Sequence, residues 1–410
     1  MLSRRAALLL GAPPALRAAA AKPRAILFTG RGRSGFLNPD RRLEIVGEDG
    51  RRLRALALAV PGDAGWGAYG FFRDGRALLQ SLALPPDWKG KTFDEYYPRS
   101  RTRVWACNLE TAGLEELCHL GRLSSFYSPC CLLPGEARIA VTAIVDGKSV
   151  LYTMDLDGSH ARSVTAKDEF VYGVSLSPDG KRFAFHANYH IHVCNVDGTE
   201  RREIAGAKGM LYFGTSWSPD GEWVLFQVCD GRQDPAHDWS AIAIAHPSGD
   251  GGTHFLTPPA AAWFGATYGA KDNPGGGSNQ PQWAPDGSGV LYVRRVPGAK
   301  TPWEFQAGRK DTDHFNREFR PAAAKGGTHL ALIDPRTDRE TFLTRPQDGH
   351  WDFRASWSPD SRRICFLRAH TGGAPELWTM DARGGGAKPV TRGLRGAGAE
   401  HPWWIPGPAA

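Results

Sequence analysis

The sequence predicts an all-β chain, a seven-bladed β-propeller closed by pairing its C-terminal strand with its N-terminal strands. Three observations predict it. First, the hexapeptide SWSPDG at 216–221 recurs as SLSPDG at 175–180, QWAPDG at 282–287 and SWSPDS at 356–361, each followed by an apolar run. Every copy reads as strand, tight turn, strand: proline sits second in the turn with its φ already set, and aspartate and glycine follow. Second, a hairpin that recurs along a chain marks a radial or stacked array, because one hairpin cannot bury its own faces. Third, the two ends complement each other. Residues 25–59 hold three strands (AILFTG, RLEIVG, RLRALAL) but no inner one, and residues 400–407 (EHPWWIPG) read as an inner strand with nothing after it. Joining them completes a blade and removes the exposed edge that an open array would leave.

Taken in order, residues 1–21 are expected to be an export signal and residues 22–410 a single propeller domain. Arg4 and Arg5 precede a short apolar stretch, and the small residues 18–21 offer a cleavage site, the pattern of a bacterial leader. The Ser3–Arg4–Arg5 run resembles a twin-arginine signal, which exports proteins already folded to the periplasm or beyond; an ordinary secretory signal or an uncleaved anchor is the alternative. Blade 2 spans 66–118, where FRDG replaces the Pro-Asp-Gly turn, and blade 3 spans 125–165 with LPGE in that place. Blade 4 (171–205) is the least distorted copy; blade 5 covers 211–257, blade 6 279–344 and blade 7 353–391. A different reading of blade 2 or blade 6 gives six or eight.

Composition narrows the class. Gly 49 and Pro 30 suit many short strands joined by turns, and hydrophobic content of 41% suits a globular protein. No apolar run is long enough to span a membrane as a helix. The formal charge of +7 falls to +4 once the three arginines of 1–21 are removed. That mild excess suits an acidic glycan or an envelope surface, and no basic stripe interleaved with aromatics points to nucleic acid. Seven cysteines without zinc-site spacing read chiefly as buried small hydrophobes. Cys107 and Cys118, flanking one hairpin, could pair after export.

The turns at 217–221, 283–287 and 357–360, and more loosely at 176–180, resemble the TolB-type β-propeller family. The resemblance implies the propeller fold and an exported or envelope location. It implies no particular reaction, since such propellers serve as scaffolds, as sugar-cleaving enzymes and as non-catalytic domains of peptidases. No G-x-S-x-G is present, which argues against a peptidase of the prolyl class.

Loop length locates the expected site. The long connections, 84–102, 229–239, 258–280 and 296–328, all fall at the two positions that emerge on one face of an up-and-down blade, and binding concentrates on such loops. Trp217, Trp283, Trp357 and Trp403 recur on inner strands and read as wedges between blades. Trp88, Trp239, Trp263, Trp303 and Trp351 lie in the loop face, where they either stack on sugars or pack the loops down. Tyr172, Tyr212, Asn279, Gln280, Asp352, Arg354, Glu400 and His401 line the expected funnel, and blade 5 adds Gln233, Asp234, His237 and Asp238. In the blade 6 insertion, Arg309 borders Asp311, Asp313 and His314, which could hold a divalent cation such as manganese or calcium; a solvated charged insertion is the plainer reading.

Two functions follow. One is a non-catalytic propeller that binds a protein partner or a glycan through Trp351, Asp352, Gln280, Asn279, His237, Trp239, Trp303 and Arg309. The other resembles the oligogalacturonate lyases: proton removal beside a uronate carboxylate by His314 or His401, with Arg354 or a metal neutralising the carboxylate and Tyr172 or Tyr212 donating the proton. The histidine cluster that holds the metal in those lyases is not recognisable here.

Overall fold

The computed structural model describes residues 24–31, 42–58, 60–83, 101–118, 131–145, 148–230, 240–263, 265–267, 276–305, 317–345, 347–391 and 398–405. Among them the regular structure is β-strand apart from one 3-10 turn at Pro321–Ala323. One sheet draws on both ends of the chain. Strands β1 (Ala25–Arg31), β2 (Arg42–Gly47) and β3 (Arg52–Leu56) continue through β1 onto β32 (Gly398–Trp404). The β1–β32 pairing is antiparallel, with Ile26 opposite Trp404 and Leu27 opposite Trp403.

The next four sheets are four-stranded meanders, each with its strands in chain order. They are β4 (Asp63–Phe71), β5 (Ala77–Ala83), β6 (Arg101–Cys107) and β7 (Leu114–Cys118); then β8 (Cys131–Leu132), β9 (Arg138–Val145), β10 (Lys148–Asp155) and β11 (Arg162–Ser163). The third comprises β12 (Val171–Leu176), β13 (Arg182–Ala187), β14 (His190–Asn195) and β15 (Arg202–Ala205). The fourth comprises β16 (Met210–Trp217), β17 (Val224–Asp230), β18 (Ser240–Ala245) and β19 (Thr253–Phe255). A two-stranded ribbon, β20 (Gly265–Thr267) with β21 (Gly276–Ser278), precedes β22 (Gln282–Trp283) and β23 (Val290–Arg295). A second ribbon, β24 (Trp303–Phe305) with β25 (Arg317–Phe319), interrupts the path to β26 (Thr328–Asp334) and β27 (Arg339–Phe342). The 296–328 insertion thus carries strands of its own. Last come β28 (His350–Trp357), β29 (Arg363–His370), β30 (Glu376–Asp381) and β31 (Lys388–Pro389). A single parallel bridge, Thr328 to Trp351, merges this set with the preceding one into an eight-stranded sheet.

The repeated turn explains its own sequence. In three copies the serine hydroxyl donates to the aspartate two residues on: Ser177 to Asp179 (2.5 Å), Ser218 to Asp220 (2.5 Å) and Ser358 to Asp360 (2.7 Å). The same serine oxygen accepts the N–H that opens the next strand, at 2.9 Å from Arg182, Trp223 and Arg363. Gly180 and Gly221 close their turns at φ of +71° and +74°, a region that costs an L-residue about 1 kcal/mol or more. Ser361 accepts that conformation at φ +57°. Its Oγ receives the Asp286 N–H from the adjacent set of strands at 3.0 Å.

Apolar side chains fill the spaces between consecutive sheets. Leu27 and Leu43 pack with Trp66, Leu79 and Trp105; Leu78 and Val104 with Ile139 and Val141. Leu133 and Leu151 meet Val171 and Phe183, and Ile191 and Val193 meet Trp217 and Phe226. Leu225 and Ile242 meet Trp283 and Val290; a last cluster runs from Leu291 and Leu330 through Ile364 and Phe366 to Ile26, Phe28 and Trp404. Each large side chain so buried contributes about 1.5–3 kcal/mol.

Two sequence expectations need correction. Trp404, not Trp403, takes the wedge position: it faces Ile26 as Trp217 faces Val224 and Trp357 faces Ile364. With two consecutive tryptophans, the register shift between Leu27 and Thr29 in the β1–β32 pairing sets which one takes that position. Cys107 and Cys118 are both buried free thiols, because Cys107 stands opposite Leu114 and Cys118 opposite Val104.

Candidate functional site

Because the sheets are meanders, the first strand of each ends at the tight turn that joins it to the second. The long connections β5–β6, β17–β18, β19–β22 and β23–β26 all leave from the opposite end.

A bulge recurs there. The pairing of first with second strand slips by one residue between Tyr172 and Ser175, between Phe213 and Ser216, and between Phe353 and Ser356. The residues held in the left-handed region at these bulges are Gly173 (φ +63°), Gly214 (φ +69°) and Arg354 (φ +47°). Each lies three residues before the wedge position. Gln280 stands in that place relative to Trp283, and His401 relative to Trp404, within another slip between β1 and β32.

These positions touch in sequence around the molecule. A Cβ on Gly173 would lie 3.4 Å from the Gly214 nitrogen and 3.4 Å from Nδ1 of His186. A Cβ on Gly214 would lie 3.7 Å from Nε2 of Gln280. The Arg354 N–H then donates to Oδ1 of Asn279, the residue before Gln280, at 3.3 Å. Gln280 is exposed and Arg354 half-buried, with its Nε and Nη1 sealed from solvent. The result is a continuous arc from His186 to Arg354.

His186 is 4% exposed, and neither ring nitrogen has a hydrogen-bond partner among the described residues. It lies between Tyr172 (ring centroids 5.8 Å) and Tyr189 (5.6 Å, planes within 6°), with Phe170 against Tyr172 at 4.4 Å. Phe170, Tyr172 and Tyr189 are half-buried, so an aromatic patch adjoins the arc. Burial, with a smaller contribution from His192, pushes the His186 pKa down to about 3, so the ring is neutral at pH 7. The same register on other second strands holds buried polar atoms without partners among the described residues: Thr29 Oγ1, Thr142 Oγ1 and Gln227 Oε1. Atoms of this kind are satisfied by ordered water or by a ligand.

The structure therefore brings Asn279, Gln280, Arg354 and Tyr172 together, and sets His401 in register with them by backbone position. Asp352 is turned inward: it is 2% exposed and accepts two bonds from Arg368, at 2.6 and 2.8 Å. Burial opposes the Arg368 charge, but the Asp352 contacts outweigh it and raise the guanidinium pKa. Tyr212 packs against Phe226 in a core cluster, and burial raises its phenol pKa. Trp351 is fully buried on Trp263 (5.8 Å), its Nε1 donating to Thr371 at 2.9 Å, and Trp303 is equally buried on Phe319 (5.2 Å). These tryptophans pack the connections down. His237, Trp239, Arg309, Asp311, Asp313 and His314 lie outside the described residues.

Sequence reasoning passed over His186, whose setting arises from neighbours across the sheet, and the pair His350–His370. Those two rings face each other across β28 and β29 with centroids 4.0 Å apart, and Nδ1 of His350 lies 3.3 Å from the Asp348 carbonyl oxygen.

No family model matches the chain. Among solved structures, the Pseudomonas aeruginosa periplasmic gluconolactonase PpgL aligns with 94% of this chain and 99% of its own, at TM-score 0.55 and 13% identity. The fold is a TolB-like β-propeller. TolB from Acinetobacter baumannii aligns at TM-score 0.46 and 15% identity, over 79% of this chain and 64% of that one. An oligogalacturonate lyase from Vibrio parahaemolyticus aligns at 0.44 and 12%, over 88% and 98%. The arc lies at the end of the first strands from which the long connections leave.

Proposed function

We propose that this chain is an exported propeller, a closed ring of seven blades, that binds a glycan or a protein partner at the axial mouth of its loop-rich face without changing it chemically. The glycan suits the mouth better, because a half-buried aromatic patch adjoins polar groups there. The observation that carries this reading is the unbroken arc His186–Gly173–Gly214–Gln280–Arg354. It supplies a cation, an amide and open backbone around one opening, the mixture that orients a polar ligand.

Its ionisable groups favour binding over chemistry. His186, with a pKa near 3, is a weak base at neutral pH, and Asp352 is engaged by Arg368. The ring reading draws support from one repeated bond: Trp404 Nε1 donates to Ser356 O (3.2 Å) as Trp217 Nε1 donates to Ser175 O (3.3 Å). The last first-strand is thus docked on its neighbour as an interior one is.

Export rests on the leader-like residues 1–21. Among the described residues no helix is long and apolar enough to cross a membrane. The buried thiols of Cys107, Cys118 and Cys194 have pKa values pushed up to about 11, 11 and 12 by burial, which suits a protein folded before it meets an oxidising compartment.

A second reading, a metal-assisted lyase acting on uronic-acid oligosaccharides, draws on the His350–His370 pair. If its Nδ1–H donates to Asp348, His350 presents Nε2 as a metal-ligating nitrogen. Two imidazoles do not make a catalytic centre, however, and no group of three His, Cys, Asp or Glu gathers among the described residues. One experiment separates the readings: calorimetric titration of the mature chain with oligosaccharides, with and without manganese, while following the ultraviolet absorbance of an unsaturated product. Saturable binding with the ligand recovered intact is expected; turnover supports the lyase, and the absence of any binding removes the glycan reading.

A further inference from the structure

We infer that the cavity between the β12–β15 and β16–β19 sheets, at the tight-turn end of the molecule, binds a phosphate group between Arg182 and Arg202. This site lies away from the loop-rich end and does not depend on the binding reading above. Three observations carry it.

The first is a missing counter-ion. Three second strands open on an arginine: Arg138, Arg182 and Arg363. Each stands opposite the last residue of its third strand, which is Asp155, Asn195 and Asp381 respectively. Arg138 donates to Thr153 at 3.3 Å and pairs with Asp155 at 3.2 Å. Arg363 donates to Thr379 at 3.4 Å and lies 3.8 Å from Glu48. In the β12–β15 sheet, Val193 takes the threonine's place and Asn195 the aspartate's, and the Asn195 amide donates to Thr199 at 2.9 Å. The Arg182 guanidinium keeps the Trp217 ring at 4.8 Å but has no hydrogen bond or ion pair among the described residues. Asp179 lies within range of its charge, yet that carboxylate accepts from Ser177 (2.5 Å) and the Lys181 N–H (3.1 Å).

The second is another cation on the same face. Arg202 stands opposite Val193, two residues from Asn195. Strand alternation therefore sets Arg202 and Arg182 on the face where Val193 packs with Trp217 and Phe226. Arg202 is exposed and has no carboxylate partner among the described residues. Like charges on one face of a sheet repel, and an anion between them reverses the sign of that contribution.

The third is the space itself. A cavity of about 140 Å³ has both arginines, Asn195 and Glu200 on one side, and His246 and Ser248 of the β18–β19 turn on the other. Sites for drug-sized ligands run to about 300–1,000 Å³, so this one suits a single small anion and not an oligosaccharide. Arg182 and Arg202 rise from strands two apart, with backbones roughly 10 Å from each other, and reach an anion from different sides. A tetrahedral phosphate offers oxygens to both, whereas a carboxylate presents one edge to one guanidinium. Its charge of about −1.5 to −2 at pH 7 also suits two cations offset by one glutamate.

The test is thermal unfolding and calorimetric titration of the full mature chain with inorganic phosphate, glycerol 3-phosphate and acetate at constant ionic strength. Saturable phosphate binding is expected, with the melting temperature rising to a plateau and acetate binding at least about tenfold more weakly. Binding of the ester as well supports a site open to phosphomonoesters; binding of inorganic phosphate alone supports a site for the free ion. Asn195→Asp restores the counter-ion in a turn that already takes aspartate at 155, where Ser159 bonds it as Thr199 bonds Asn195. That variant should melt no lower than the parent and lose at least about tenfold in phosphate affinity. Arg182→Gln should lose as much. Arg162→Gln, at the place of Arg202 in the sheet where Arg138 is paired, should bind as the parent does. No saturable phosphate binding, equal binding of acetate, full affinity in Asn195→Asp, or an equal loss in Arg162→Gln overturns the assignment. The glycan reading stands or falls separately, at the other end of the molecule.

Discussion

At the residue scale, the mouth of this propeller combines side chains that stability alone would not select. His186 places an imidazole between two tyrosines with no partner among the described residues for either nitrogen. An unsatisfied buried polar group costs about 1–3 kcal/mol, so His186→Phe is expected to stabilise the protein by about that amount at pH 7, measured by urea unfolding. The pH dependence has a definite sign. The folded-state pKa near 3 lies below the ordinary 6.5, so the unfolded chain takes up a proton that the folded one refuses. Stability contributed by the neutral ring is complete above pH 6.5 and falls as pH drops toward 3, by up to about 1.4 kcal/mol per unit. His192, at about 4, acts in the same direction over a narrower window. His186→Phe should therefore flatten the stability slope between pH 6.5 and 4.5; an unchanged slope would contradict the burial argument. Asp352 and Arg368 behave differently. Arg368→Met strands a buried carboxylate and should cost about 3–5 kcal/mol, read as a lower denaturation midpoint with an unchanged m-value.

At the element scale, the tight turns were legible in the sequence because every determinant is local. Proline sets one φ, glycine permits another, and serine and aspartate bond within five residues of each other. Gln280, Arg354 and His401 stand out in the sequence as entries to first strands, and each stands three residues before Trp283, Trp357 and Trp404 respectively. What was not legible depends on contacts across strands. Trp303 and Trp351 look like stacking residues in one dimension, yet Phe319 and Trp263 cover them. The choice between Trp403 and Trp404 turns on a bulge opposite Leu27 and Thr29. Trp404 supports an element-scale prediction. Trp404→Phe keeps the packing but removes the bond to Ser356, and should cost about 1–2 kcal/mol. Deleting residues 398–410 bares the edge of β1 and should replace the cooperative transition with aggregation; a monomeric, cooperatively folded truncation would argue against docking of β32 as a stabilising contact.

At the scale of the whole molecule, the two ends of the propeller do different work. One end is laced by the repeated turns, with Arg24 bonded to Asp360, Arg73 N–H to Glu136 and Asp286 N–H to Ser361 joining neighbouring sheets. The other gathers the long connections, the bulges and the second-strand polar atoms that have no partner among the described residues. Rigidity at one end and recognition at the other is the division expected when a scaffold presents loops. The most direct measurement is amide hydrogen exchange of the mature chain with and without a saturating oligosaccharide. Protection is predicted around residues 172–175, 212–216, 279–282 and 352–356, with the turns at 177–180 and 218–221 unchanged. Protection confined to those turns, or to the outer strands β15, β19 and β27, would contradict an axial site on the loop-rich face.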